Sequence, residues 1–189
     1  LFAEHVPKEI GRINRLINML INYTRPLRRN KERVLISELI NDSKYIAKIS
    51  TTNSNKIILK TEVSYDAYIY VNRDQIKQAL INLILNSIQS VEEKLSQYED
   101  KFPEGLLIRL SSYPLNKLVC IEVYDEGCGM TEAEIEKCIE PFFSTKAKGL
   151  GMGLALTKQF VNQNSGKMEF ESRKNEFTSI RLLFEEDIE

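Results

Sequence analysis

The chain has 189 residues, 42% of them hydrophobic and 28% charged, with a formal net charge of −1. This is an ordinary soluble composition, long enough for one good core plus an appendage or for two small domains. So even a balance gives no reason to expect nucleic acid or an anionic membrane as main partner. No apolar run approaches the ~20 residues that span a bilayer, and no signal peptide opens the chain.

From the start, Ile10, Ile13, Ile17, Leu20 and Thr24 alternate spacings of three and four, and Leu16, Ile21 and Leu27 widen the stripe. This predicts a helix over residues 1–27, with Pro26 disfavouring its continuation. A helix this apolar needs other helices, in its own domain or in a dimerising bundle. Residues 30–33 are polar and charged, a hinge by composition, and residues 34–50 read as a second helix. Residues 56–63 and 67–71 have strand character, with turn chemistry between them at Ser64 to Asp66. A long helix is expected over residues 73–97. Strands follow over residues 106–110 and 117–125, about a turn at Pro114 to Asn116. Thr131 and Glu134 have capping-box spacing and start a short helix. Residues 151–164 are helical, and strands over 167–173 and 177–184 close the chain as a hairpin. Paired strands with helices between them indicate an α+β fold, one mixed sheet with helices on one face.

Within this frame four short segments carry chemistry. On the long helix, Asn82-Leu-Ile-Leu-Asn86 puts two amides four residues apart, on a polar face with Gln75, Gln78 and Gln89. Asparagine is a poor helix former, so such a pair calls for an explanation, and an amide oxygen is a hard neutral ligand suited to Mg2+. Asp125-Glu-Gly-Cys-Gly129 follows a strand in which Val119, Ile121 and Val123 alternate. Its carboxylate stands at a strand end, and Gly127 and Gly129 let the backbone turn sharply against a flat ligand. Pro141-Phe-Phe-Ser-Thr-Lys146 carries Lys146, with Lys148 just beyond it, either of which can neutralise phosphate charge. Gly149-Leu-Gly-Met-Gly-Leu154 opens a helix, where free backbone N–H groups and the helix dipole favour phosphate. No Gly-Lys-Ser/Thr follows, so it is not a Walker loop. No strand leads directly into it, so it is a poor dinucleotide fingerprint.

In order and spacing the four segments resemble the N, G1, F and G2 boxes of the sensor histidine kinases of two-component systems. Their wording is most similar to the nitrogen-regulation and sporulation branch, and the resemblance covers roughly residues 57–185. It implies a Bergerat (GHKL) ATP-binding fold, a two-layer α/β sandwich shared with gyrases, heat-shock chaperones and mismatch-repair ATPases, with ATP and Mg2+ as ligands. By the same resemblance Asn86 ligates the metal bridging the phosphates, Asn82 sits by the phosphates and metal water, and Lys146 joins them as the catalytic set. Asp125 accepts from the adenine amino group, supported by Thr178, with Gly127, Gly129 and Met130 around the base. Gln89, Phe142, Thr145, Gly149, Leu150, Gly151, Met152, Gly153 and Leu154 complete the nucleotide site and its lid, which Phe142 and Phe143 anchor.

Asn82 departs from the related gyrase, chaperone, mismatch-repair and anti-sigma kinase families, which place a glutamate there as general base. An amide cannot take that proton. This argues against an ATP-hydrolysing clamp and for transfer of the γ-phosphoryl to an acceptor needing no base from this helix. The single histidine, in His5-Val-Pro-Lys-Glu-Ile, lacks the acidic neighbour and the Asn-Pro pair of the family's acceptor motif. The acceptor is therefore expected outside this chain. Residues 1–29 resemble the second helix of the dimerisation and phosphotransfer bundle, which leaves residues 30–189 as the catalytic domain. The resemblance implies a response regulator and a second copy of the kinase as partners. Three cysteines, Cys120, Cys128 and Cys138, with neither metal nor redox spacing suit a cytoplasmic setting, or the cytoplasmic part of a membrane-bound kinase. The alternative is a non-catalytic module that binds ATP and signals by conformation.

Overall fold

The alternation of Val119, Ile121 and Val123 builds the central strand, and the other elements assemble around it. The computed structural model describes residues 30–50, 56–98, 101–146 and 151–188, with side chains of 46–50 outside the description. The helix expected over residues 1–27, and with it the boundary at residue 30, lies outside these residues. In chain order the elements are β1 (Glu32–Leu35), α1 (Ile36–Ser50), β2 (Ile57–Val63), β3 (Tyr68–Val71), α2 (Arg73–Gln97) and β4 (Leu106–Leu115). They continue with β5 (Leu118–Asp125), α3 (Glu132–Lys137), α4 (Gly153–Gln163), β6 (Lys167–Arg173) and β7 (Phe177–Phe184). Among the described residues no helix is long and apolar enough to cross a membrane.

Five strands form one mixed sheet in the order β2-β4-β5-β7-β6, in which only β2 and β4 run parallel. The helices α1, α2 and α4 lie side by side, and α2 packs over the middle of the sheet. Ile76, Leu80, Leu83, Ile84 and Val91 of α2 are buried against Ile108, Leu110, Ile121 and Val123 in one continuous core. Burying each such side chain stabilises the fold by ~1.5–3 kcal/mol. This is the expected α+β two-layer arrangement.

The opposite face is closed by charge. Across the strands Arg109 pairs with Glu62 and Glu122, and Arg181, opposite Glu122, pairs with Glu169 and Glu171, at 3.3–3.9 Å. Glu122 also accepts hydrogen bonds from Ser111 Oγ and Ser179 Oγ and is only 9% exposed. Cys120, one position along that face, is fully buried. The strand read as half-buried is thus covered on both sides, because long neighbouring side chains close over it.

Two expectations are corrected. Residues 30–33, read as a hinge, lead into β1, which pairs antiparallel with β3 in a separate two-stranded sheet, Val34 opposite Ile69. Both of these side chains are buried in the main core, so pairing with a distant segment overrides the polar composition of Glu32 and Arg33. The turn expected at Pro114 to Asn116 falls on Asn116 and Lys117, both left-handed with φ of 49° and 69°. Pro114 stays within β4, opposite Val119. It is tolerated because β2 ends opposite Ser112, which leaves Pro114 on a local edge.

Candidate functional site

The sheet register puts Asp125, the last residue of β5, opposite Thr178 of β7. Asp125 is 4% exposed, under α2. Ser87 Oγ of α2 donates to Oδ2 at 2.8 Å, and the Gly127 N–H donates to Oδ1 at 3.0 Å. Burial pushes its pKa up to about 6, against the opposing pull of the Ser87 and Gly127 hydrogen bonds, the Lys146 charge and Ser90.

The turn after Asp125 is held from two sides. The Cys128 N–H donates to Ser90 Oγ at 3.0 Å, which ties the turn to α2. Gly129 has φ +57°, and a Cβ there would overlap the carbonyl oxygen of Arg173. On that side the Asn175 N–H donates to Cys128 O at 2.7 Å and the Met130 N–H to Ser172 Oγ at 2.8 Å. Ser172 Oγ lies 3.1 Å from Thr178 Oγ1. Asp125, Gly127, Gly129, Met130 and Thr178 are thus brought together.

Three residues of α2 at spacings of four and three, Asn82, Asn86 and Gln89, face the second half of the site. Asn82 Nδ2 donates to Thr157 Oγ1 of α4 at 2.9 Å. Asn82 lies directly over the first turn of α4, where a Cβ at Gly153 would fall 2.8 Å from its Oδ1. Lys146 reaches back across α2, its Nζ donating to Asn86 O at 3.2 Å and to Gln89 Oε1 at 3.1 Å. Burial lowers the Lys146 pKa, while the charges of Asp125 and Glu93 act in the other direction. Among the described residues the side-chain amide of Asn86 makes no hydrogen bond.

The lid residues separate into backbone and side-chain roles. The Phe142 N–H donates to Gly151 O at 2.9 Å, and Gly151, at φ +65°, has no room for a Cβ beside the Phe142 carbonyl. Phe142 itself takes φ 70° and its ring is 66% exposed. The anchoring expected of that ring is therefore carried by backbone, while Phe143 is half-buried. Met152 is 1% exposed and Leu154 packs on the main core, so their side chains serve the fold and only their backbones are free for a ligand. Met152 gives α4 no side-chain cap. Thr145 is exposed, and Gly149 and Leu150 lie outside the described residues.

Ser87, Ser90, Thr157 and Ser172 were not singled out by sequence reasoning. The available signal was two hydroxyls on a helix interior, one and four residues after Asn86. A surface hollow of about 430 Å³ between Ile139, Pro141 and the side of α4 bearing Ala155 and Asn162 contains none of these groups. It has no carboxylate, and neither Asp125 nor the Asn82–Asn86 pair lines it, so it is not the site.

Gly153→Ala tests the contact between α2 and α4. The new methyl displaces the Asn82 amide and breaks its bond to Thr157. The expected result is at least about a tenfold loss of nucleotide affinity with the helix content retained, checked by calorimetry and circular dichroism.

The histidine kinase-, DNA gyrase B- and HSP90-like ATPase family matches residues 71–188, and the chain belongs to it. Sporulation kinase B of Bacillus subtilis (strain 168) is 27% identical over 188 residues, 99% of this chain and 41% of that protein. The signal transduction histidine-protein kinase AtoS of Escherichia coli (strain K12) is 26% identical over 168 residues, 88% of this chain and 26% of that protein. The chain therefore spans about a quarter to two-fifths of these relatives. Among solved structures, the catalytic domain of histidine kinase ThkA superposes with a TM-score of 0.65 at 26% identity, over 82% of this chain and 96% of that one. ThkA in complex with response regulator protein TrrA gives a TM-score of 0.74 at 22% identity, over 98% of this chain and 51% of that one. The fold is that of histidine kinase catalytic domains, and the relatives are sensor and sporulation histidine kinases.

Proposed function

We propose that the chain is the catalytic portion of a protein-histidine kinase, which binds ATP with Mg2+ and passes the γ-phosphoryl to a histidine other than His5. The observation that carries this is the meeting of Asp125, the Asn82–Asn86 face of α2 and the start of α4 in one place, with an amide at position 82. The adenine amino group donates a hydrogen bond to the Asp125 carboxylate, and the phosphates run along α2 towards the first turn of α4. Lys146 leaves its carbonyl and amide partners and turns its ammonium to the phosphates. Gly151 to Leu154 contribute backbone, joined by Gly149, Leu150, Thr145, Phe142 and Gln89 around the lid.

Among the described residues no three His, Cys, Asp or Glu side chains gather to hold a metal. This fits an ion that enters with the nucleotide and takes a single protein ligand, the Asn86 amide oxygen, as Mg2+ does when phosphates supply the rest. When bound, the metal neutralises charge between the phosphates. The acceptor nitrogen attacks the γ-phosphorus in line, the bond to the β-phosphate oxygen breaks, and ADP leaves with that electron pair. Asn82 takes no proton in this step and holds position, so catalysis rests on alignment and electrostatics.

In this reading residues 1–29 belong to a dimerisation bundle shared with a second copy, and residues 30–189 form the catalytic domain. The phosphoryl passes on to a response-regulator aspartate, and the chain works on the cytoplasmic side.

The test is calorimetric titration of ATP with and without Mg2+, together with acid-labile labelling of histidine by γ-labelled ATP in the intact kinase. Asn86→Ala, which removes the oxygen ligand, is expected to remove the Mg2+ dependence of binding and to abolish histidine labelling. Labelling that survives this change at the parental rate overturns the mechanism.

A further inference from the structure

We infer that Ser87 is a positioning residue for the nucleotide base, whose hydroxyl holds the Asp125 carboxylate as a fixed acceptor and so selects a purine with an amino group at its six position. This rests on the adenine reading of the site. Three observations carry it. Ser87 is 4% exposed and sits in α2, yet its hydroxyl is not turned back to its own helix but given to Asp125 Oδ2 at 2.8 Å. Oδ1 is held by the Gly127 N–H at 3.0 Å, so the carboxylate has a donor on each oxygen and no freedom to rotate without losing one. Ser90, one turn further along α2, holds the Cys128 N–H at 3.0 Å and fixes the turn that brings Gly127 to its place.

The consequence is chemical. A carboxylate gripped by two donors has only lone pairs left to offer. It accepts from an exocyclic amine and repels an exocyclic carbonyl, whose lone pairs would point at it. A hydrogen bond to a charged group accounts for about a tenfold to hundredfold change in an equilibrium constant. Without the Ser87 hydroxyl the carboxylate is free to turn about its Cβ–Cγ bond and to hold a proton. A protonated carboxyl donates to a carbonyl as readily as it accepts from an amine. Selectivity then falls from both sides.

The experiment compares ADP with inosine diphosphate, which has a carbonyl at the six position, by calorimetry on the whole chain with Mg2+. Wild type is expected to favour ADP strongly. Ser87→Ala is expected to weaken ADP about tenfold or more while inosine diphosphate changes by less than about threefold, so that the ratio collapses about tenfold. Ser87→Thr, which keeps the hydroxyl, is expected to keep the ratio even if both affinities fall. If Ser87→Ala does not fold by circular dichroism, Ser87→Cys, with its weak donor, is expected to show the same collapse. An unchanged ratio, whether both ligands bind as before or both weaken alike, overturns the inference and leaves the adenine reading standing. Failure of folded wild type to bind ADP overturns both.

Discussion

Asp125→Asn is expected to weaken ADP binding by about a hundredfold while leaving the nucleotide-free domain no less stable at neutral pH. The loss of binding follows from geometry. With its one oxygen engaged by Ser87 or by the Gly127 N–H, the asparagine amide presents N–H to the adenine amino group, and two donors meet. The retained stability follows from linkage. The folded protein holds the Asp125 proton up to a pKa of about 6, against an ordinary value of 3.8, because burial disfavours the carboxylate. Below the ordinary value the group is protonated in both states and has no effect. As pH rises through the window between the two values, the unfolded chain releases its proton first, and folding stability falls. Above pH 6 the full cost is present, on the order of 3 kcal/mol for a shift of about two units. The variant escapes this cost and loses about one hydrogen bond, worth ~1 kcal/mol. Thermal melts without nucleotide should therefore show the variant gaining on wild type between pH 4 and pH 7. A melting temperature far below wild type at pH 7 would show that the carboxylate holds the turn together rather than straining it. The same sign is expected to govern wild-type binding: ADP affinity should fall as pH drops through about 6, because the protonated carboxyl no longer only accepts.

Gly129→Ala should be the most disruptive single methyl at the site. The residue has φ +57°, which costs an alanine ~1–2 kcal/mol. The added Cβ also meets the backbone carbonyl of Arg173, which no rotamer change can move. The β6–β7 hairpin must shift away from the turn, and two hydrogen bonds join them: Asn175 N–H to Cys128 O and Met130 N–H to Ser172 Oγ. The expected loss is at least about 3 kcal/mol, a drop of roughly 10 °C in melting temperature for a domain of this size, with ADP binding abolished. A variant that melts within a degree or two of wild type would mean that the hairpin does not brace the turn.

Much of this site was legible in the sequence because its signals are local. The capping box at Thr131 forms as read, with Glu134 N–H to Thr131 Oγ1 at 3.3 Å and the Thr131 N–H to Glu134 Oε2 at 2.7 Å. The final hairpin falls where its turn residues put it, over Lys167–Arg173 and Phe177–Phe184. Asn82, Asn86 and Gln89 share a helix face because 3.6 residues make a turn, whatever surrounds them. What escaped notice depends on partners distant in the chain. β1 is a strand only because β3, about 35 positions on, supplies its hydrogen bonds.

The sequence by itself determined the order of elements, the four chemical segments and the amide at position 82, since spacing and residue type are properties of the chain. Only the tertiary structure decided that Ser87 faces Asp125, that Thr157 holds Asn82, that Lys146 rests on Asn86 and Gln89, and that the Phe142 ring is exposed. Each of these joins groups 38 to 75 residues apart, or, for Phe142, depends on what covers the lid. A hydroxyl in a helix interior has the same local energetics whether it meets water, its own carbonyl or a buried carboxylate. The packing of α2 between the sheet and α4 makes that choice.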